Sequence, residues 1–304
     1  MEEMDSWPYT SVDTGMPGDV ESIYRVSDDT LYASGGVPGN GWILRSTVNG
    51  YTWEAVAGPF LNPLNSIFFT NAANGYVADA DVLIFRTNDQ AQSWNQFYPN
   101  QWPLNVNRNL RDIYFTDATH GYICGGKNFG NGLIYRTTDG GATWSFSEFN
   151  HELRAVRFQT PSEGIVVGYG ACLETNDGGI SWNIGDGEGL YFMDAEVMKG
   201  KLYRVTLDGR VEVRETPTAP WNRIREKSSH MHTSSKAFCI GISDQEDIVL
   251  GGLDGFVSVR RYGETSWKDY RTFDGTSVHD IEFTKDGQII AAGENGKIFR
   301  MNLP

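Results

Sequence analysis

Seven of the nine tryptophans recur at intervals of 38 to 50 residues from one end of the chain to the other. The recurring residues are Trp7, Trp53, Trp94, Trp144, Trp182, Trp221 and Trp267. A period of about 43 residues is typical of a β-propeller, in which each repeat forms one four-stranded blade. The sequence therefore predicts an all-β fold, a single seven-bladed propeller with four-stranded antiparallel blades.

Each repeat contains short runs of β-branched and aromatic residues that are bounded by Gly, Asn or Asp, as strands in such folds are. In the clearest repeat these runs are residues 110–115, 121–125 and 133–137, and a fourth begins at Thr143. The chain is assigned to one domain, 1–304, with blades at residues 19–58, 63–98, 109–150, 152–185, 189–225, 234–271 and 277–304 plus 5–12.

The last repeat ends after its third strand, and the missing strand is predicted at the other end of the chain. Residues 6–10 resemble residues 93–97, which open the fourth strand of the second blade. We expect the N-terminal strand to close the last blade, because closure removes two sheet edges that would otherwise be exposed.

A second repeated pattern lies between the third and fourth strands. It is complete at residues 137–144 and 175–182, and partial at 87–94 and 46–53. An Asp side chain can accept hydrogen bonds from the backbone of a turn, and Gly adopts positive φ without strain. We expect Asp89, Asp139 and Asp177 to be structural.

These turns resemble the Asp-box, or BNR, repeat of sialidases and related propellers. GYICG at 121–125 followed by IYRTTDGG at 134–141 is similar to the repeat of the photosystem II stability/assembly-factor-like propellers, and GYV at 75–77 with IFRTND at 84–89 matches it too. The resemblance extends over nearly all of the chain, although the fifth and sixth blades lack the box. It implies a non-enzymatic binding or assembly scaffold.

One arginine stands at the end of the third strand in six of the seven repeats. These residues are Arg45, Arg86, Arg136, Arg214, Arg260 and Arg300, whereas Glu174 occupies the position in the fourth repeat. The family resemblance implies a contribution of this Arg column to a partner-binding patch. The alternative is that each arginine binds a turn of a neighbouring blade.

Inserted length is concentrated on the face that carries the loops between strands two and three and the connections between blades. The insertions fall at 34–41, 98–109 and 127–132. The candidate ligand- or partner-binding residues there are Trp42, Tyr98, Trp102 and Phe129, with Arg111 and Arg154 at the channel mouth. Exposed aromatic rings suit sugar rings or a protein partner. The alternative is that the rings fold down onto their own blades.

The rival function is a glycan-binding protein or a sialidase-like glycoside hydrolase that uses the Trp42/Trp102 face. Paired carboxylates could perform such hydrolysis, and Asp112 and Asp280 lie on inner strands. No catalytic residue is assigned, since polar residues on inner strands also occur where a channel simply holds water. No metal is predicted either, because His230 and His232 lack a third ligand.

The remaining features limit the classes of partner. A formal charge of −14 argues against nucleic acid, and no apolar run approaches the length of a membrane span. Three cysteines with apolar neighbours are expected to be buried free thiols. We expect a monomer without a cofactor that binds protein or carbohydrate. Its expected location is outside the cytoplasm, after removal of a leader, with a cytoplasmic location as the alternative.

Overall fold

The computed structural model describes residues 7–98, 109–227 and 236–303. Regular structure in these residues consists of 28 β-strands and two short 3-10 turns at Leu253–Gly255 and Phe273–Gly275. The strands form seven four-stranded sheets, in which all pairings are antiparallel. The predicted seven-bladed all-β propeller is confirmed.

The first strand, β1 (Thr10–Asp13), belongs to the last blade, and the next sixteen strands form blades one to four. Blade one is β2 (Asp19–Arg25), β3 (Leu31–Val37), β4 (Asn40–Ser46) and β5 (Glu54–Phe60). Blade two is β6 (Leu64–Phe69), β7 (Gly75–Asp79), β8 (Ile84–Thr87) and β9 (Asn95–Phe97). Blade three is β10 (Asn109–Phe115), β11 (Gly121–Lys127), β12 (Asn131–Thr137) and β13 (Ser145–Phe149). Blade four is β14 (Leu153–Phe158), β15 (Gly164–Gly168), β16 (Ala171–Thr175) and β17 (Asn183–Ile184).

Three further blades complete the ring. Blade five is β18 (Phe192–Met198), β19 (Lys201–Thr206), β20 (Val211–Arg214) and β21 (Asn222–Arg225). Blade six is β22 (Ala237–Ile242), β23 (Ile248–Gly252), β24 (Phe256–Arg260) and β25 (Lys268–Arg271). Blade seven is β26 (Val278–Phe283), β27 (Gln288–Gly293) and β28 (Lys297–Asn302), followed in the sheet by β1.

The N-terminal strand closes the ring as predicted. Thr10 pairs with Arg300 in an antiparallel register, and the indole N–H of the buried Trp7 donates to the carbonyl oxygen of Asn302 at 2.9 Å. Pairing begins at Thr10, later than the predicted residues 5–12, and Pro8 in the intervening segment has no N–H to donate to a sheet.

The hydrophobic core lies between neighbouring blades. In one cluster Tyr76 of blade two packs with Leu110, Phe115 and Trp144 of blade three. The predicted buried thiols are confirmed: Cys124, Cys172 and Cys239 are all free and buried. Packing between blades thus provides the apolar burial that a single four-stranded sheet cannot provide alone.

The inner strand of every blade carries a β-bulge near its start. The residues that the bulges leave unpaired are Glu21, Asn65, Arg111, Arg154, Met193, Phe238 and His279. A bulge redirects the side chain of its extra residue, and all seven side chains line one cavity of about 560 Å³ at the channel mouth. The bulges therefore determine which residues surround this opening.

Candidate functional site

The box turns are closed by their aspartates. Asp139 accepts hydrogen bonds from the backbone N–H of Thr143 at 2.8 Å, from its hydroxyl at 2.6 Å and from the Thr137 hydroxyl at 2.8 Å. The Thr137 hydroxyl also accepts from the N–H of Gly141 at 2.9 Å. The same contacts recur around Asp89 and Asp177. All three carboxylates thus have partners within their own turns.

These hydrogen bonds favour the ionised carboxylates. The Thr143 side chain, followed by the Thr143 backbone N–H, lowers the pKa of Asp139 to about 2. Ser93 and Ser181 likewise lower the pKa values of Asp89 and Asp177 to about 2. The donors stabilise the charged form, so the boxes remain ionised and closed at neutral pH.

The Arg column points mainly at protein groups on the rim. The Arg136 guanidinium donates to the carbonyl oxygen of Gly178 in the next blade's box at 2.7 Å. Across the junction between blades seven and one, the Arg300 guanidinium lies 3.5 Å from the ring centre of Tyr51. Arg214 binds Glu174 at 3.1 Å. Arg214 and Arg300 are buried, and Arg45, Arg86, Arg136 and Arg260 are half-buried.

The expected exposure of Trp42 is wrong. Its side chain is fully buried, and its indole N–H donates to the carbonyl oxygen of Pro17 at 2.8 Å. Trp42 pairs with Gly35 on the adjacent strand, where a Cβ would lie 2.8 Å from the indole ring. Because Gly35 has no side chain, the ring packs against its own blade and is not exposed on the surface.

The other predicted aromatic residues do not share one surface. Tyr98 is 59% exposed, but it lines a cavity of about 360 Å³ on the rim together with Arg86 and Gly141. Trp102 lies outside the described residues, as do His230 and His232. Of the predicted aromatic residues that are described, Phe129 is the one found near Arg111 and Arg154.

The structure brings Phe129, Arg111 and Arg154 together around Glu152. The Glu152 carboxylate lies 3.3 Å from the guanidinium of Arg111 and 3.7 Å from that of Arg154. Its other oxygen accepts a 3.2 Å hydrogen bond from the Phe129 N–H. Glu152 itself is buried, with 5% of its surface exposed. It therefore contacts both arginines from the protein side of the cavity wall.

Three aromatic rings form a row beside these arginines. The ring centre of Tyr169 lies 5.0 Å from that of Phe129 and 5.6 Å from that of Tyr191. The Arg154 guanidinium lies over Tyr169, 5.4 Å from its ring centre. Phe129 is 64% exposed and Tyr191 51%. We call Phe129, Tyr169 and Tyr191 the aromatic row.

Deeper in the channel, charged residues from neighbouring blades face one another. The Arg157 guanidinium lies 2.5 Å from Asp112, 3.5 Å from Glu196 and 4.0 Å from Asp194. Arg157, Asp112 and Glu196 line both the mouth cavity and a second cavity of about 180 Å³, which Glu282 also lines. Sequence analysis did not single out Arg157, because it stands three residues beyond the column that contains Arg154.

Several of the inner carboxylates bind the backbone of the following blade. Asp112 accepts from the N–H of Val156 at 2.9 Å, and Asp194 from that of Ile240 at 3.0 Å. Asp280 accepts from the N–H of Ile23 at 2.8 Å across the closure of the ring. These N–H groups lie on the free inner edge of each sheet, where an unpaired donor would be costly. The inner carboxylates thus join adjacent blades.

Burial raises the pKa values of the channel acids. The pKa of Asp194 is raised to about 8, that of Glu282 to about 7 and that of Asp280 to about 6, in each case chiefly by burial. Arg157 opposes the shift at Asp194. Burial also lowers the pKa of Arg111, as does the neighbouring charge of Arg154.

Residues 7–98, 109–227 and 236–303 lack two kinds of feature. They contain no group of three or more His, Cys, Asp or Glu side chains that could hold a metal ion. None of the helical segments described in the same residues has the length and apolar character needed to cross a membrane.

Comparisons with known proteins agree with this architecture. Residues 96–182 match the sequence family described as photosynthesis system II assembly factor YCF48. The photosystem II assembly lipoprotein Ycf48 of Synechococcus sp. (strain CC9902) is 24% identical over 213 residues. That alignment covers 66% of this chain and 60% of the relative, which is less than two thirds of the relative's length.

Solved structures share the fold at lower identity. The structure of YCF48 bound to D1 peptide superposes with a TM-score of 0.75 at 17% identity and covers 99% of both chains. The GH74 enzyme of Niastella koreensis gives a TM-score of 0.73 at 14% identity, over 95% of this chain and 53% of the enzyme. The chain is thus a seven-bladed propeller whose sequence is similar to that of the BNR-type photosystem II assembly factor Ycf48.

Proposed function

We propose that this propeller is a non-enzymatic scaffold that binds a protein segment at its channel mouth and so serves in assembly. The observation that carries the proposal is the exposed aromatic row beside the mouth cavity, where Phe129 and Tyr191 present rings to solvent. Exposed aromatic residues next to arginines are typical of the energetic centres of protein interfaces.

The box aspartates and Arg136 of the Arg column have structural partners, which favours the mouth as the binding surface. Asp139 is held by its own turn, and Arg136 by the carbonyl of Gly178. By contrast, Phe129 and Tyr191 contribute little to the core, because more than half of each side chain remains exposed. A binding role accounts for large apolar groups at such positions.

Relatives support a protein partner and a location outside the cytoplasm. A solved relative carries a D1 peptide, and the curated relative is called an assembly lipoprotein. We propose that this chain likewise binds a peptide-like segment of another protein, functions as a monomer and acts on the outer side of a membrane.

Binding is favoured over catalysis by the environment of the channel carboxylates. Asp112, Asp194 and Asp280 each accept a hydrogen bond from a backbone N–H of the next blade. A glycosidase needs one carboxyl group free to protonate the leaving group and a second facing the sugar. Carboxylates that join blades are poorly placed for either task, so we propose no enzymatic activity.

Site-specific photocrosslinking tests the proposal. A benzoylphenylalanine at position 129 should capture the same identified protein in repeated extracts of the source cells. The matched control carries the same group at Ile180, which is 71% exposed on the box turn of blade four. Capture from position 180 alone would move the binding surface to the box side. Capture from neither position, with binding on a glycan array instead, would favour a lectin.

A further inference from the structure

We infer that Arg111 and Arg154 form a subsite for a single carboxylate of the bound segment, with the aromatic row holding an apolar side chain next to it. This inference rests on the proposed function and specifies the chemistry of the same site. The subsite lies on the wall of the mouth cavity, between blades three and four.

The two arginines carry one more positive charge than Glu152, the carboxylate that both contact. Glu21 also acts on Arg111 through its charge, but its carboxylate lies 3.9 Å from the His279 ring. Two guanidinium groups, those of Arg111 and Arg154, share the carboxylate of Glu152 at 3.3 and 3.7 Å. A carboxylate from a ligand would balance the second positive charge and can offer oxygens to both arginines.

The arginines are held in place before any ligand arrives. Arg154 lies over the ring of Tyr169, and Arg111 is fixed by Glu152, whose second oxygen is bound to the Phe129 N–H. The exposed fractions of the two arginine side chains are 27% and 22%, so each still reaches the cavity. Side chains that are ordered in advance lose less entropy when a ligand binds.

The acidic residues that line the cavity restrict the charge of the ligand. The same cavity is also lined by the carboxyl groups of Glu21, Asp112 and Glu196. A phosphate group, with close to two negative charges, would exceed the single positive charge that Glu152 leaves on the two arginines and would face these carboxyl groups. The whole chain also carries a formal charge of −14. The site therefore suits a monoanion, and a carboxylate is the monoanion that peptides provide.

The aromatic row defines what lies beside the carboxylate. Tyr169 contacts both Arg154 and Phe129, so an acidic group on the arginines places the neighbouring ligand residue near the Phe129 ring. The backbone of Phe129 has a φ of 62°, a conformation that bulky residues rarely adopt. An exposed ring in a strained turn contributes little to folding, and strain of this kind is common at ligand sites.

Three short peptides test the subsite by isothermal titration calorimetry. The first contains one Asp between two Phe residues and has blocked ends. The second has Asn in place of the Asp, again with blocked ends. The third has the Asn and a free C-terminal carboxylate. A carboxylate site predicts binding of the first or third peptide about tenfold tighter than the second, and the preferred peptide distinguishes side-chain from terminal carboxylates.

Single substitutions test which residues cause the preference for a carboxylate. Arg111→Gln and Arg154→Gln should each remove most of the preference for a carboxylate, and each leaves one arginine to pair with the buried Glu152. Glu152→Gln should increase the preference for the Asp peptide over the Asn peptide about threefold to tenfold, because it removes the competing charge and keeps an acceptor for the Phe129 N–H. Loss of the ion pairs that order the arginines would weaken both peptides alike and leave this ratio unaffected. The matched control is Arg45→Gln on the rim, where Arg45 binds Glu54; it should leave the preference unchanged.

Other calorimetric results would contradict the carboxylate subsite. Equal affinity for all three peptides, or no measurable binding of any, would exclude the carboxylate subsite. A smaller preference for the acidic peptide in the Glu152→Gln variant would show that Glu152 does not compete with a ligand. If crosslinking from position 129 still captured a partner in those cases, the proposed scaffold function would stand and only the carboxylate chemistry would be wrong.

Discussion

The hydroxyl of Tyr76 donates a 2.8 Å hydrogen bond to the carbonyl oxygen of Gly140, 64 residues further along the chain. Tyr76 belongs to blade two and Gly140 to the box turn of blade three. The Tyr76 ring also stacks on Phe115 at 4.2 Å, and Phe115 meets Trp144 edge-on at 6.2 Å. The box turn of blade three therefore closes its own hairpin and also accepts a hydrogen bond that links it to blade two.

The same joint recurs on both sides of this pair. Tyr32 donates to the carbonyl of Gln90, and Tyr122 to that of Gly178. We expect Tyr76→Phe to lower the free energy of unfolding by about 1–2 kcal/mol, since the buried Gly140 carbonyl loses its donor. Urea denaturation measures the change. The control Tyr262→Phe removes a hydroxyl from a side chain that is 67% exposed and should change stability by less than about 0.5 kcal/mol.

Asp139→Ala is expected to destabilise the protein without affecting binding at the mouth. Loss of its hydrogen bonds to Thr143 and Thr137 should cost about 1–2 kcal/mol at pH 7, because water replaces part of what is lost at this exposed turn. A large loss of peptide affinity with unchanged stability would contradict the structural role.

The loss of stability caused by Asp139→Ala should also depend on pH. The folded-state pKa is lowered to about 2, below the usual value near 4 for an unfolded Asp. Its contribution is therefore complete above about pH 4 and is lost as the pH falls through 2. The difference in melting temperature between the wild type and the variant should narrow between pH 4 and pH 2.

The raised pKa values of the channel acids predict the opposite pH dependence of stability between about pH 4 and pH 8. The pKa of Asp194 is raised to about 8 by burial, so between about pH 4 and 8 the folded state holds a proton that the unfolded chain has released. Stability should consequently fall as the pH rises through this interval. The raised pKa values of Glu282 and Asp280, about 7 and about 6, act in the same direction.

Asp194→Asn isolates this contribution. The amide oxygen can still accept from the N–H of Ile240, but the group no longer ionises. The decrease in unfolding free energy between pH 5 and pH 8 should therefore be smaller in the variant than in the wild type, as measured by urea denaturation at several pH values. Asp29→Asn on the surface is the control and should leave the wild-type slope intact. An unchanged slope in Asp194→Asn would show that this residue does not hold the proton.

The closing strand gives a fourth prediction. Trp7→Ala should cost about 3–5 kcal/mol, as for other buried large side chains, because Trp7 is 4% exposed and packs 5.2 Å from the ring of Tyr270. Deletion of residues 1–13 removes β1 as well and should lower the melting temperature further. A deletion variant that melts with the full chain would show that β1 does not hold the ring closed.

The sequence predicted what is repeated and failed where residues depart from the repeat. The tryptophan period predicted seven blades, and the resemblance between residues 6–10 and 93–97 predicted the closing strand. Both depend on local patterns that every blade shares.

The errors came from contacts that one repeat alone does not reveal. Trp42 was expected on the surface, but Gly35 on the adjacent strand leaves space for its ring. The aromatic row includes Tyr169, from the loop between β15 and β16, and Tyr191, from the connection between blades four and five. These two residues meet through an isolated bridge. One signal was available, because Tyr169 stands between Gly168 and Gly170 in a tight turn. Its proximity to Phe129 depends on how blades three and four pack, which the sequence pattern does not specify.

Two substitutions of Phe129 should have the same effect on peptide binding but different effects on stability. Its φ of 62° costs an L-residue about 1–2 kcal/mol relative to the usual helical region, whereas Gly adopts this conformation freely. Phe129→Gly and Phe129→Ala both remove the exposed ring and its contact with Tyr169, so both should lose peptide affinity. In urea denaturation, however, the Gly variant should be more stable than the Ala variant by about 1 kcal/mol. If both variants bound the acidic peptide as the wild type does, the ring of Phe129 would have no part in recognition, and the strain at this turn would serve some other contact.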